Sequence, residues 1–503
     1  MSDMNIRNNY YPEKTEPLVP EGGRKRRQQK PNGPGSGSGR KILIVAAVII
    51  AAAALGFGVY AYAGRTEKNR KASPGAAVDR SFTIVNCLSF YNDRAWITGQ
   101  EDDQEFLGVI DTDGNLVFKQ SDHLADYGHM NGYADATDTT VIGAELMNKL
   151  SGFNDTSAFI TLSNGDVSII DRSGKELARI TGNPTVAAVG NYYIVSASQE
   201  NGGSTSVQYG VMDKNGQWTR PLSSPTADTY ETFFWKKSGG NLSGVQDIGG
   251  NIAVAGGGMG YNADKNEFFI FDVPPEIAGQ SAGALDYIHF FNDQIVARAK
   301  GTQKDQFALY DSTGGLISSL NIPDASGSDR QGMVFDSTKG ITYYWDKGSG
   351  TSSGCAFDMN GNILYSFSSL GVTSVEQVLY PSDGYAVFVV KTDGGLKYGV
   401  VDSSGKFTFA PKDYTDYGSS ELELRYCVAA DFEKKVIVIR KSRDENTYTI
   451  LDLQGNEKAT FTPDDGAGDY DITANRFGDG LLALVGSGMY VNTDGETVIS
   501  SSP

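Results

Sequence analysis

"KYGVVDSSGKFTFAP", residues 397–411, reads as two short strands around a tight turn that Asp402 opens and Gly405 closes. Apolar residues alternate ahead of the Asp, so one face of the first strand is buried. The Asp carboxylate is placed to accept a backbone N–H two residues on. The Gly supplies the positive φ needed where a left-handed residue follows a type I turn. Asp-x-x-Gly in this setting is hairpin chemistry.

Relatives of this hairpin recur along the chain, among them "FLGVIDTDGNLVF" (106–118), "YGVMDKNGQW" (209–218), "FFIFDVPPEIAG" (268–279) and "YTILDLQGNEKATF" (448–461). The turn-opening residue falls at Asp111, Asp171, Asp213, Asp272, Asp311, Asp358, Asp402, Asp452 and Asn492, a mean interval of about 48 residues. Fixed self-similarity of that length marks a repeat architecture. "DTDGN" (111–115) and "NTDG" (492–495) look like fragments of calcium loops. Such loops draw several oxygens from one segment, usually with a distant Glu. "DRSG", "DLQG" and "DSSG" offer one carboxylate each, so the turn reading is preferred.

A further strand pair precedes each hairpin, as in "EQVLYPSDGYAVFVVK" before the opening stretch and "RYCVAADFEKKVIVIRK" before the next unit. Four strands per unit of 45–50 residues is the content of a β-propeller blade. The expected fold class is therefore all-β: a propeller of about eight four-stranded blades (seven to nine) over residues 82–503, with a β-solenoid as the competing architecture. Residues 120–182 form a poorly defined unit, and "GAELMNKL" (143–150) is the one helix-like insert.

"KYGVVDSSGKFTFAPKDYTDYG" (397–418) and "RFGDGLLALVGSGMYVNTDGETVI" (476–499) resemble WG repeats, whose hairpin runs aromatic-Gly, two apolar residues, Asp-x-x-Gly. Tyr-Gly or Leu-Gly stands here where that family has Trp-Gly. The resemblance implies a β-repeat scaffold that mediates binding, and it transfers no catalytic residue. More broadly the chain is similar to bacterial membrane-anchored propeller proteins.

The 503 residues carry a formal net charge of -18, distributed unevenly. Residues 1–41 are net +5 and residues 65–72 net +3, which leaves -26 for residues 73–503. So acidic a body lacks the clustered cations that nucleic acid requires. Residues 42–64, "ILIVAAVIIAAAALGFGVYAYAG", are uncharged and mostly apolar over 23 positions. About 20 residues suffice for a helix to span a bilayer, so a single transmembrane helix is expected. Seven Lys/Arg between Arg24 and Lys41 precede it and four follow in "RTEKNRK". That bias puts the N-terminus in the cytoplasm and the large C-terminal part outside. A cleaved signal peptide ending at "AYA" (61–63) competes, but the apolar run and the region before it are both long for one. Residues 1–41 read as a disordered cytoplasmic tail, rich in Pro, Gly and charge, and residues 65–81 as a linker.

No reactive constellation emerges. Cys87, Cys355 and Cys427 are odd in number and widely spaced, which suits buried structural thiols. His123 and His129 are six apart, and His289 stands alone, so no metal is expected. "AGGGMG" (255–260) leads into a strand where a dinucleotide site needs a helix. "GSGSG" (35–39) matches a nucleophile-elbow string only within the polar tail. The four tryptophans (Trp96, Trp218, Trp235, Trp345) follow no period. Phe233–Phe234–Trp235 and Tyr343–Tyr344–Trp345 suit a carbohydrate or peptide groove, or the core between blades, which is preferred. The expectation is a membrane-anchored, extracytoplasmic binding module without cofactor, metal or catalytic residues, whose partner is a protein or cell-envelope polymer. The alternatives are a carbohydrate-active propeller hydrolase or lyase and, after it, a sensor. Carboxylates converging with Arg or Tyr at one end of a central channel would mark the enzyme.

Overall fold

The computed structural model describes residues 81–120 and 150–501, apart from residue 103 and short loop stretches, the longest being 278–284, 323–330, 414–426 and 464–475. The chain divides into two units, residues 1–71 and 72–503, and every described residue belongs to the second. The expected tail (1–41), the apolar segment (42–64), His123, His129 and most of "GAELMNKL" lie outside the described residues. No helix among the described residues is long and apolar enough to cross a membrane.

Nine antiparallel sheets follow one another along the sequence. They span residues 83–120, 157–180, 185–223, 246–270, 285–320, 331–366, 374–413, 427–461 and 476–499, here blades 1 to 9. Eight have four strands paired in sequence order. Blade 2, the poorly defined unit of the sequence, has three, and a bridge from Leu150 to Ile160 stands in for its first.

Strands of this kind bury both faces, and the packing shows where each face goes. In the strand Tyr385–Thr392 of blade 7, Ala386, Phe388 and Val390 pack against blade 6. The alternate residues Val387 and Val389 pack against blade 8. The hydrophobic core divides in this way into nine clusters, each shared by two consecutive blades. One of them joins Leu481, Ala483 and Tyr490 of blade 9 to Ile84, Phe90 and Ile97 of blade 1, which closes the ring. The protein is an all-β, nine-bladed propeller.

Closure uses no exchanged strand, since blades 1 and 9 are each built from one segment. The Tyr490 hydroxyl donates to the Leu88 carbonyl at 2.8 Å, the Ile84 amide donates to the Ser501 carbonyl at 2.8 Å, and the Phe90 and Tyr490 rings lie 4.7 Å apart. First strands touch across seams, blade 6 with blade 7 and blade 8 with blade 9, which places them around the axis. Fourth strands such as Glu457–Phe461 are largely exposed at the rim.

The repeated hairpin joins the third and fourth strands of its blade, and its glycine has two duties. Gly405 has φ +76°, and a Cβ there would stand 2.5 Å from Cγ of Tyr365, on the fourth strand of blade 6. Gly114 of blade 1 meets Ile499 of blade 9 in the same way, at 3.2 Å. The turns of blades 2, 3, 5, 6 and 9 likewise rest on the outer strand of the preceding blade, and that of blade 8 rests on Phe409, just ahead of the outer strand of blade 7. The hairpin is thus a clamp between blades.

Two expectations need correction. Asp272 does not open a hairpin: it follows the fourth strand of blade 4, Glu267–Ile270, and reaches blade 5. Its amide donates to the Gly314 carbonyl at 3.0 Å, and its carboxylate accepts the Leu316 amide at 3.0 Å. The hairpin of blade 4 turns through residues 263–266 without glycine, using Asn266 at φ +53°. The second correction is a helix, α1 (Tyr230–Ser238), in the connection from blade 3 to blade 4. Thr229 caps it by accepting the Thr232 amide, and Gly239 ends it.

Gly371 separates the two duties of the clamp glycine, because it has φ +70° with nothing within 4 Å of a Cβ. Gly371→Ala is expected to cost about 1 kcal/mol of backbone strain. Gly405→Ala should cost about 1–3 kcal/mol more, from overpacking against Tyr365. Urea denaturation of both variants measures the difference, and equal costs would remove the clamp.

Candidate functional site

Antiparallel order sorts the connections onto two faces. The links between first and second strands, and between third and fourth, lie at one end of every blade, the turn face. The links between second and third strands, and those between blades, lie at the other, the loop face.

On the turn face the carboxylates that open the hairpins are held by their own backbone. In blade 7, Asp402 Oδ1 accepts the amides of Ser404 (2.9 Å) and Lys406 (3.1 Å), and the Gly405 amide donates to the Asp402 carbonyl at 3.0 Å. Asp111, Asp171, Asp213, Asp311, Asp358 and Asp452 repeat these contacts, and Asn492 makes them with its amide oxygen. In "DTDGN" the Asp111 carboxylate holds the amides of Asp113 and Asn115, as the turn reading requires. Burial pushes the Asp402 carboxyl up, but hydrogen bonds from Ser404 and Lys406 outweigh it and hold the group below the usual range.

Nearer the axis, two-residue turns such as Asn92–Asp93 (φ 52° and 61°) and Asp383–Gly384 (φ 53° and 77°) link the first two strands. They also join blades. The Asp93 amide donates to Asp479 Oδ2 of blade 9 at 2.7 Å. The Gly384 amide donates at 2.8 Å to Oδ2 of Asp336, a fully buried carboxylate of blade 6.

The channel wall is uneven. First strands of blades 3 and 8 present small residues, "TVAAV" (185–189) and "CVAAD" (427–431). Those of blades 5 to 7, Leu285–Phe291, Gln331–Asp336 and Ser374–Ser382, are longer and carry larger side chains. His289 stacks on Phe335 with centroids 4.7 Å apart and meets the Tyr287 ring at 4.5 Å. Burial pushes its imidazole down to about 4, so it is neutral at pH 7. Bulges put Tyr287 at φ +50° and Tyr380 at φ +51°, and the Tyr380 hydroxyl donates to the Val428 carbonyl of blade 8 at 3.0 Å.

The carboxylates of these first strands each have a partner close by. Asp286 takes both arms of the Arg298 guanidinium at 2.7 Å. Glu376 accepts from the Ser374 hydroxyl, and Asp247 accepts the amides of Gly190 and Gly249. Burial raises the Asp431 carboxyl, which accepts the Lys434 amide at 3.0 Å. Among the described residues, no group of three or more His, Cys, Asp or Glu is placed to hold a metal.

Other residues singled out in the sequence fall into the framework. Cys87, Cys355 and Cys427 are buried free thiols, and burial pushes Cys87 up to about 12. "AGGGMG" links the strand Ile252–Ala255 to Met259–Asn262, so no helix N-terminus meets it. Tyr343 and Trp345 fill the seam between blades 6 and 7, and Tyr344 the seam between blades 5 and 6. On α1, Phe234 and Trp235 are buried while Phe233 is exposed. The helix is masked in the sequence because "TYETFFWKKSGG" mixes aromatic residues with a weak apolar face; its local signals are Thr229, Glu231 in the first turn and Gly239.

No family model matches the chain, and neither does any curated protein. Among solved structures, a putative dipeptidyl aminopeptidase IV from Bacteroides ovatus is similar at 10% identity, with a TM-score of 0.35, over 74% of this chain. The match spans 59% of that protein, less than two thirds of its length. The Dos1 propeller is similar over 80% of this chain and 92% of its own, at 11% identity and a TM-score of 0.35. The dihydro-heme d1 dehydrogenase NirN is similar over 79% and 76%, at 11% identity and a TM-score of 0.32. Likenesses this low carry no activity across; the fold rests on the strand pairing and seams of the chain itself.

Asp402→Ala is expected to cost about 1–2 kcal/mol, since it leaves two turn amides without their acceptor. Asp402→Asn should cost less, because Asn492 makes the same contacts in blade 9. The Asp402 carboxyl is depressed in the folded ring, so its contribution is complete above the ordinary Asp value of about 3.9 and is lost as pH falls below it. Denaturation as a function of pH should show a shallower acid limb for Asp402→Asn; an unchanged limb would remove the carboxylate from acid stability.

Proposed function

We propose that the chain is a membrane-anchored, extracytoplasmic binding module that presents its loop face to a protein or cell-envelope polymer. One observation carries this reading: turn-face carboxylates and amides are engaged in clamps within and between blades, so that face is framework. Connections between blades reach the other face, where a loop can change without disturbing the strand ladders. First-strand carboxylates held by neighbouring donors also support binding over hydrolysis. Residues 42–64 supply the anchor in this reading, and the resemblance to WG repeats agrees with a scaffold role.

The buried native thiols allow single engineered cysteines to report on the full chain. Glu105→Cys lies at the loop-face end of blade 1 and Asp113→Cys in its turn-face hairpin, both exposed. A polyethylene glycol chain attached at residue 105 is expected to abolish co-sedimentation with cell-envelope fragments, while one at residue 113 leaves it intact. The reverse pattern would assign binding to the turn face, and hydrolysis of envelope glycan by the unmodified chain would favour the enzyme.

Orientation is tested separately. A membrane-impermeant maleimide on intact cells should label Thr460→Cys in the body but not Ser36→Cys in the tail. Labelling of the tail alone would invert the topology, and release of the body into the medium would indicate cleavage.

A further inference from the structure

The aromatic run at 233–235 divides on α1. Phe234 and Trp235 are buried, and their rings pack against Tyr261 and Phe268 of blade 4. The opposite side of the helix carries Tyr230 (53% exposed), Phe233 (40%), Lys236 and Lys237. Positions i, i+3, i+6 and i+7 form one stripe on a helix. Two rings and two ammonium groups therefore face outward together, over about 10 Å. The Lys236 ammonium stands 5.7 Å from the centre of the Phe233 ring. Because α1 lies in the connection from blade 3 to blade 4, the stripe belongs to the loop face.

A ribbon flanks the helix. The second and third strands of blade 3, Tyr192–Asn201 and Ser204–Asp213, pair without interruption for ten residues. The first strand of the blade pairs no further than Ser196 and the fourth no further than Tyr209. Residues 197–208 thus extend past both neighbouring strands. Tyr209 stacks on Trp235 of α1 with centroids 4.7 Å apart, and Val207 (37% exposed) lies on the same side of its strand.

Charge distinguishes this corner of the loop face. Residues 201–245 hold four Lys/Arg and three Asp/Glu, net +1, in a body of net -26. Lys214 is taken by Asp155, and Glu231 by Arg220, each at 2.8 Å. Among the described residues, Lys236 and Lys237 have no ion-pair partner, whereas Lys119, Lys214, Lys397 and Lys458 each meet a carboxylate. Salt screens charges beyond about 8 Å at physiological ionic strength, so the local cations outweigh the distant acidic body here.

We propose that the outer stripe of α1 binds an anionic glycan, a saccharide chain bearing carboxylate or phosphate groups. This names a ligand class within the loop-face reading and rests on that reading. The two unpaired ammonium groups supply the charge complementarity. The exposed faces of Tyr230 and Phe233 take the C–H face of a sugar ring, whose hydroxyls stay in water. An open stripe, unlike a closed pocket, holds the middle of a chain and leaves its ends free. Two half-exposed rings are too little apolar area to hold a bilayer, and a polyanion without sugar rings would leave them idle.

Binding of the full chain, in mild detergent, to immobilised polygalacturonate tests it, with uncharged dextran and poly-L-glutamate as comparisons. Polygalacturonate should bind, and both comparisons should bind at least about tenfold more weakly. Lys236→Gln/Lys237→Gln should lose at least about tenfold, the size of one charge-assisted hydrogen bond, and Lys236→Arg/Lys237→Arg should retain binding. Lys175→Gln/Lys406→Gln removes two exposed cations from turn-face hairpins, changes the net charge equally and should leave binding unchanged. Phe233→Ser keeps both lysines and should still weaken binding. No binding, equal losses from the two Gln pairs, equal binding to poly-L-glutamate, or full binding by Phe233→Ser would overturn the proposal. Unchanged co-sedimentation of Lys236→Gln/Lys237→Gln with cell-envelope fragments would remove this site and leave the loop-face reading standing. Blockage by polyethylene glycol at residue 113 alone would remove that reading, and this site with it.

Discussion

One small contact organises this molecule: a carboxylate that holds two backbone amides in a turn, closed by a glycine that rests on the blade before it. The Asp oxygen fixes the hairpin within its own blade, and the missing Cβ lets that hairpin approach the next sheet. The contact recurs in eight of the nine blades and ties each of them to the one before. The ring closes by the same rule, with Gly114 of blade 1 against Ile499 of blade 9. No exchanged strand is needed, because the final seam is chemically like the others and adds the Tyr490 hydroxyl on the Leu88 carbonyl.

The clamp also divides labour between the faces. Groups that stabilise a turn are unavailable to a ligand, and the acidic look of the turn face arises from carboxylates bonded to their own backbone. The axial turns add ties between blades through Asp93, Asp479, Asp336 and Gly384. Where the pattern fails, other packing replaces it. Blade 4 lacks the clamp glycine, and beside it α1 inserts Trp235, which stacks on Tyr209 of blade 3 at 4.7 Å.

Much of this was legible in the residues. Alternating apolar positions, the Asp-x-x-Gly spacing and its period of about 48 residues define four-stranded units and a repeat architecture, because turn chemistry and strand burial are local. The same locality misled at Asp272, where "FFIFDVPPEIAG" has the look of a hairpin but its carboxylate serves blade 5. Helix α1 was hidden for a related reason: its nine residues owe their conformation to aromatic packing on Tyr209, Tyr261 and Phe268, which no short window reveals.

By itself the sequence determined the β class, the hairpin, the acidic character of residues 73–503 and the apolar segment at 42–64, all consequences of side-chain type and spacing. Tertiary structure decided that the units number nine, that each glycine faces a neighbouring blade, and that the aromatic runs at 233–235 and 343–345 lie mainly in seams. These features depend on residues far apart in the chain meeting across a seam, and a seam exists only once the sheets have closed into a ring.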